Sequence, residues 1–466
     1  NTVGKNRSKY LLKNTAVFAM GSIGTKMIAF FLVPLYTNLL STSEYGVVDL
    51  VTTISTVLAP MLILNINEAV MRFSLDEHAN TNEIMSIGVA VFGGSLLAGL
   101  LLIPAAAAFP TISEYAVYLY FYTVSLAGSQ LLLSYLRGTE KLVRYSIGNI
   151  LHALAIACFN IILLLFLKKG ISGYFTAYIA ANVVTMLYAF VAGKVWEPLR
   201  KFRIDPSLTK EMAKYSVVLI PNTFMWWIMN SSDRIMVTAM VGVAANGIYA
   251  VSYKVPSLVQ TIMGIFNQAW SYSAIRENSS EDRDAYSNSV FNGVVAMSTI
   301  TGVGLLAIMK PFLRIYVEKA YYSAWRYTPF LIVGFVFLTL GTFLSSYYTV
   351  NKDSKGFLFS GLTGAIVNLI LNALLIPILG ITGAALATCV SYSMVYVYRI
   401  FDTKKYIKLH FRQVQHLASY GVLLLAALTM FWDNTLGQMV QFVELAAILL
   451  INRNIWVPLL NGMNIY

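Results

Sequence analysis

The chain of 466 residues is 58% hydrophobic and 12% charged, with a mean hydropathy of +0.67. These values exclude an ordinary soluble globular protein, and at roughly 20 residues per crossing of an about 30 Å hydrocarbon core the length allows some 14 to 16 spans and no folded aqueous domain. The net charge of +12 therefore belongs to loops facing an anionic leaflet rather than to nucleic acid.

Apolar stretches long enough to span run over 14–40, 45–71, 84–109, 115–136, 145–167 and 171–193. The first is too long for a signal-peptide core and lacks a small-residue cleavage site behind it, so it is expected to stay in the mature chain. A polar connection with Glu197-Pro198 and Asp205-Pro206 follows, then spans at 213–241, 245–272, 290–313, 327–350, 356–379 and 383–401. Two weaker candidates, 416–432 and 438–451, complete the set; the last is short and carries Glu444. The expectation is an all-α integral membrane protein of 12 to 14 helices. Cys158 and Cys389 lie in separate apolar runs, and His78, His152, His410 and His416 show no metal-ligand spacing, so neither a disulfide framework nor a metal site is expected and the histidines are read as surface residues.

Of the 33 Lys and Arg residues, alternate loops starting from a cytoplasmic N-terminus collect 24, the opposite loops collect 6, and Lys26, Arg234 and Lys254 remain within spans. Such asymmetry in short loops predicts both termini inside. The chain also repeats itself. Gly170-Ile171-Ser172-Gly173 recurs 210 residues later as Gly380-Ile381-Thr382-Gly383, and Tyr45-Gly46-Val47-Val48 resembles Asn246-Gly247-Ile248-Tyr249 at a spacing of 201. Two matches at nearly one offset predict two six-helix lobes, 1–193 and 213–402, a basic cytoplasmic linker at 194–212, and two extra helices within 403–466.

These segments, in this order, resemble the Wzx-type polysaccharide flippases of the multidrug/oligosaccharidyl-lipid/polysaccharide exporter superfamily. The resemblance rests on Leu11-Leu12-Lys13-Asn14-Thr15, Pro34-Leu35-Tyr36-Thr37, Glu44-Tyr45-Gly46, Asn230-Ser231-Ser232-Asp233-Arg234, Gly247-Ile248-Tyr249-Ala250, Phe266-Asn267-Gln268-Ala269-Trp270, and Asn372 with Pro377 and the run from Gly380 to Thr388. It implies twelve core helices around a central cavity, alternating access, and movement of undecaprenyl-pyrophosphate-linked oligosaccharides to the outer leaflet. It implies no enzyme and no cofactor, with membrane lipids and polysaccharide polymerase machinery as candidate partners.

Ionisable groups at mid-bilayer cost about 2.5–3.5 kcal/mol on insertion scales and so mark function. Lys26, about 18 Å into its helix, and Lys254, about 14 Å from the outer end of its own, are the deep cations expected to hold the pyrophosphate. Lys254, Ser257, Thr261, Gly264 and Gln268 form one polar stripe; Asp49, Thr52, Thr56 and Pro60 form another, although hydroxyls and glycines at such positions equally serve helix packing in lipid. Asp233 and Arg234 point about 100° apart and so need separate partners. An Asp49–Arg234 contact closing the outer mouth is the expectation for one of them, a static ion pair or a snorkelling Arg234 the alternative. Glu68 and Arg72 read as an i,i+4 pair at the inner end of the second span, with a gating role as the second reading. Among Trp226, Trp227, Tyr249, Tyr253 and Trp270, Trp226 shares a face with Asn222, Asn230 and Asp233 and is the one expected to stack on sugar. An inside-negative potential assists an outgoing anion by about 2.3 kcal/mol per charge per 100 mV, which leaves coupling to Na⁺ or H⁺ through Asp49 or Asp233 open. The rival readings are a cation-coupled multidrug antiporter, which should present buried acids, and a membrane polymerase, which should present an acidic outer loop.

Overall fold

The computed structural model describes residues 23–76, 78–276, 283–351, 353–408 and 412–460, without the side chains of 262, 265, 268–276, 283, 456 and 458–460. The Leu11–Thr15 motif, the N-terminal lysines, His410, and the side chains of Gln268 and Trp270 lie outside the described residues. All described regular structure is helical: α1 (Ile23–Leu39), α2 (Thr42–Leu62), α3 (Ile66–Ser74), α4 (Thr81–Gly99), α5 (Leu102–Ala107), α6 (Ala116–Gly138), α7 (Leu142–Asn160), α8 (Gly170–Gly193), α9 (Trp196–Leu199), α10 (Pro206–Met240), α11 (Val243–Arg276), α12 (Arg283–Tyr316), α13 (Thr328–Val350), α14 (Ser354–Leu379), α15 (Ile381–Asp402), α16 (Gln413–Thr429), α17 (Thr435–Ile451) and α18 (Arg453–Leu460), with short 3₁₀ and π turns between. Among the described residues, nine helical stretches are long and apolar enough to cross a membrane, and α1 and α17 are shorter apolar helices. The protein is a multi-pass, all-helical membrane protein. It divides into two compact units, Asn1–Trp227 and Ile228–Tyr466.

In the first unit the chain enters α2 through a capping box. The Glu44 amide donates to Ser41 Oγ at 3.2 Å, and the Ser41 amide donates back to Glu44 Oε2 at 2.8 Å. Two orphan donors of the helix start are thereby satisfied. The span expected as one helix over 45–71 is in fact two. Pro60 cannot donate to the turn before it, and the chain unwinds four residues later, where Leu64 and Asn65 take left-handed φ values of 51° and 53°. The Asn65 amide closes the turn on the Pro60 carbonyl at 2.7 Å, and α3 restarts at Ile66. Asn tolerates this conformation; Leu is uncommon there.

The internal repeat has a geometric basis. Gly170 and Gly380 open the matched motifs with φ of +58° and +60°, a region that favours glycine. Three residues on, a Cβ on Gly173 would press on Lys169 and the Leu163 carbonyl, and one on Gly383 would strike the Leu375 carbonyl. Tyr45 and Asn246 are each the fourth residue of their helices, α2 and α11. The matched motifs at 170–173 and 380–383 therefore place glycine at the same two positions, the first for its positive φ and the second for close approach of the preceding chain.

In the second unit α13 is central. It is apolar on all sides and 78% buried over its most apolar window, against 28% for α14, as expected of a helix enclosed by α11, α12, α15 and α16. Arg399, counted above among the loop cations, is instead enclosed within α15 at 1% exposure. Its Nε donates to Ser360 Oγ at 3.0 Å, its Nη1 donates to the Gly341 carbonyl at 2.8 Å, and the guanidinium lies 5.4 Å from the Phe357 ring centre, so one side chain joins α13, α14 and α15. At the same end, Asp353 caps α14 by accepting from the Gly356 amide at 2.9 Å. It also accepts from the Tyr406 hydroxyl at 2.6 Å and pairs with Lys405 at 3.1 Å. The expectation of surface histidines fails for two of them. His416 is 4% exposed and packs on Phe291, and His152 is partly buried, with its Nε2 2.8 Å from Asn182 Oδ1. Both lie on helix faces turned toward neighbouring helices, which their polar flanks conceal in the sequence.

Candidate functional site

Asp233, on α10, is the centre of the best-defined polar cluster in the second unit. It is 1% exposed, and four donors converge on it. The Tyr249 hydroxyl donates at 2.6 Å, the Tyr253 hydroxyl at 2.9 Å and the Thr388 hydroxyl at 3.3 Å, all to Oδ2; the Arg234 amide donates to Oδ1 at 3.0 Å. Tyr249 and Tyr253 are four apart on α11, one above the other, which is why both hydroxyls reach one oxygen. A buried carboxylate requires such compensation, because stripping its water without new donors costs several kcal/mol. The Arg234 guanidinium carbon lies 5.0 Å from the Tyr253 ring centre, a cation–π contact beside the carboxylate.

The cluster continues away from Asp233. Tyr392 donates to Asn230 Oδ1 at 2.8 Å; Ser232 donates to Asn368 Oδ1 at 3.4 Å; Asn372 donates to the same oxygen at 2.9 Å; and Asn368 donates to Ser391 at 3.3 Å. A buried polar network thus joins α10, α11, α14 and α15, and any change in the charge on Asp233 alters hydrogen bonds on three of these helices at once. Tyr249 and Tyr253, considered above as sugar platforms, are enclosed and committed to Asp233. Asn368, Thr388 and Tyr392 were not singled out for a role by the sequence. One signal was available: α7 and α14 begin 212 residues apart, and at that offset Asn160 matches Asn372. Both are fully buried, both donate four residues back, and neither Oδ1 meets a donor among the described residues.

Lys254, on α11, is half-buried, and its stripe neighbours spend their hydroxyls locally: Ser257 donates to the Lys254 carbonyl at 2.8 Å and Thr261 to the Ser257 carbonyl at 3.1 Å. Lys26 is exposed on α1, and no carboxylate pairs with it among the described residues. Measured from Leu39 and Val243, the two lysines lie about 20 Å and about 16 Å from the corresponding ends of their helices.

In the first unit Asp49 is buried on α2, while Thr52 and Thr56 donate to carbonyls of their own helix at 2.7 Å each. Arg72 pairs with Asp76 at 2.6 Å rather than with Glu68, which accepts from Asn67 at 3.1 Å. Both carboxylates stand one turn from Arg72, and Asp76 lies on the exposed side where the long side chain extends. Trp226 is half-buried; the Trp227 indole donates to the Thr53 carbonyl at 3.1 Å and its ring stacks on Phe224. Among the described residues, no three His, Cys, Asp or Glu side chains are arranged to hold a metal ion.

Comparison with known proteins agrees with this architecture. Residues 11–272 match the family model described as polysaccharide biosynthesis protein. No curated protein matches the sequence. Among solved structures, a lipid II flippase MurJ in an inward closed conformation aligns over 96% of this chain and 99% of its own, with a TM-score of 0.69 at 15% identity. An inward-facing multidrug resistance MATE family transporter of the MOP superfamily aligns over 83% and 94%, with a TM-score of 0.65 at 11% identity. A MOP superfamily transporter from Pyrococcus furiosus aligns over 84% and 95%, with a TM-score of 0.56 at 13% identity. At these identities the likeness is one of fold. The chain belongs to the polysaccharide biosynthesis protein family and has the helical fold of the MOP superfamily transporters.

Proposed function

We propose that the protein is a flippase that carries polyprenyl-pyrophosphate-linked oligosaccharide units from the cytoplasmic to the outer leaflet of the bacterial inner membrane by alternating access, with both termini cytoplasmic. A pyrophosphate bearing a glycan cannot cross hydrocarbon unaided, because its charges and hydroxyls would lose their water partners. The observation that carries the reading is Lys26: an exposed ammonium on an apolar helix, about 20 Å from that helix's end at Leu39 and with no carboxylate partner among the described residues, needs an anion or water. Lys254, at comparable depth in the second unit, supplies the second cation. Family membership supports a role in polysaccharide assembly, and Trp226 and Arg234 are assigned to the glycan and the phosphate.

One observation favours adding cation coupling. Asp233 and Asp49 are buried acids, the feature a cation-coupled transporter needs, and the hydroxyl cradle of Asp233 links such an event to α11 and α15.

The test is genetic and chemical. Lys26→Ala and Lys254→Ala should abolish surface glycan while lipid-linked precursor accumulates in the cytoplasmic leaflet. Normal surface glycan in both variants would refute the cationic mechanism, and single repeat units exported without polymerisation would point to a polymerase instead.

A further inference from the structure

We infer that a saccharide-binding pocket lies within the second unit, between the C-terminal end of α12 and the α16–α17 hairpin, at the end that the loop charges assign to the outside. The cavity there has a volume of about 590 Å³, within the roughly 300–1,000 Å³ of small-molecule sites.

Its chemistry selects the ligand class. Gln441, 3% exposed, lines the pocket. Its amide nitrogen donates to the Ala426 carbonyl and to Thr429 Oγ1, each at 2.7 Å. A main-chain carbonyl only accepts, so the amide orientation is fixed, and Gln441 Oε1 is left with no donor among the described residues. Gln438, one turn earlier, likewise gives its nitrogen to the Ala307 carbonyl at 2.7 Å, leaving its oxygen as an acceptor. Asp433 adds a carboxylate that is 62% exposed while pairing with Lys310 at 3.2 Å.

The pocket therefore presents acceptors from Gln438 and Asp433, with the unpaired Gln441 Oε1 enclosed in its wall. A phosphate monoester dianion brings only acceptors and would be repelled by the Asp433 carboxylate, and an acyl chain would satisfy neither Gln438 nor Asp433. A polyhydroxylated ring supplies hydroxyl donors for the acceptors. It also supplies oxygens for the two cations, Lys310 held 4.1 Å from the Trp325 ring centre and the exposed Arg314, which pairs with no carboxylate among the described residues. Trp432, with 52% of its surface exposed, offers the aromatic face on which a sugar ring stacks through its C–H side.

The saccharide class follows from the pocket alone; that the saccharide is part of a lipid-linked unit rests on the function proposed above. The full-length protein in phosphatidylcholine nanodiscs would be probed by saturation-transfer NMR with three disaccharides, one of neutral hexoses, one of N-acetylhexosamines and one containing a uronic acid. At least one should receive saturation. The transfer should fall at least about five-fold in Trp432→Ala and in Thr435→Trp, which fills the pocket from an exposed lining position and spares the core.

Native mass spectrometry of protein taken from its own membrane separates the sources. A retained glycolipid lost in Thr435→Trp identifies a lipid-linked unit, and disaccharide binding without a retained glycolipid identifies a free or polymeric glycan. No transfer to any disaccharide, equal transfer in the variants, or retention of a phospholipid lost in Thr435→Trp overturns the inference. Lys26→Ala should leave disaccharide transfer unchanged, so failure of the flippase reading and failure of the pocket are distinguishable.

Discussion

The hydroxyl cradle of Asp233 gives the sharpest energetic test. Tyr249→Phe keeps the ring that fills its fully buried site and deletes one hydrogen bond, the 2.6 Å contact to Asp233 Oδ2. Hydrogen bonds to charged groups contribute about 1.5–3 kcal/mol. Asp233 retains two hydroxyls and an amide in this variant, so the lower part of that range applies, about 2 kcal/mol. In a unit the size of Ile228–Tyr466, this corresponds to a fall in apparent Tm of roughly 4–8 °C, at the 2–4 °C per kcal/mol typical of 150–250 residues. Tyr253→Phe, at 2.9 Å, should cost somewhat less and keeps the ring face that Arg234 contacts. Thermal unfolding in detergent of Tyr249→Phe, Asp233→Asn and the double variant closes a cycle. If the pair acts through this bond, the double variant is more stable than the sum of the singles by about 1 kcal/mol or more. Shifts below about 1 °C in both tyrosine variants, or identical shifts with and without Asp233→Asn, would refute the cradle as the device that keeps the carboxylate buried.

Gly383→Ala should destabilise markedly, because its Cβ would strike the Leu375 main chain, whereas Gly421→Ala, with open space at its Cβ and a helical setting, should be neutral or gain about 0.5–1 kcal/mol; paired melting curves check both. Arg399→Ala should cost about 3 kcal/mol or more through a cavity and the loss of the hydrogen bonds to Ser360 and the Gly341 carbonyl, and Arg399→Met, which keeps volume and removes a buried charge, should lose less in the same assay. The Tyr406 hydroxyl, the Gly356 amide and Lys405 hold the Asp353 carboxyl down at about 2. A carboxylate depressed on folding adds stability above its unfolded value, near 3.9, and loses it as pH falls toward about 2. Apparent Tm should therefore be insensitive to this group above about pH 5 and fall below about pH 4, with a smaller fall in Asp353→Asn.

What the sequence disclosed and what it hid divide along a physical line. Helix positions were legible because crossing a bilayer demands long uninterrupted apolar runs, and the repeat was legible because Gly170 and Gly380 occupy a backbone region that other residues enter only at a cost. The site was only half legible. Lys26, Lys254, Asp49 and Asp233 stand out in sequence because a charge in an apolar run is conspicuous, but a charge does not announce its partner. Asp233 is held by tyrosine and threonine hydroxyls from α11 and α15, residue types that an apolar helix also uses for packing, so nothing local distinguishes Tyr249 from an ordinary core aromatic. The break at Leu64 shows the same limit from the other side. Pro60 announces a weakened turn, yet whether the helix kinks or stops depends on Asn65 closing back on the Pro60 carbonyl, a choice made by packing rather than by the proline. Arg399 makes the limit plainest. Near a span end it reads as a loop cation, and only the convergence of Ser360, Gly341 and Phe357 from two other helices brings it inside. In a membrane bundle the costly residue is written in the sequence, whereas what compensates it is written in the packing of helices remote along the chain.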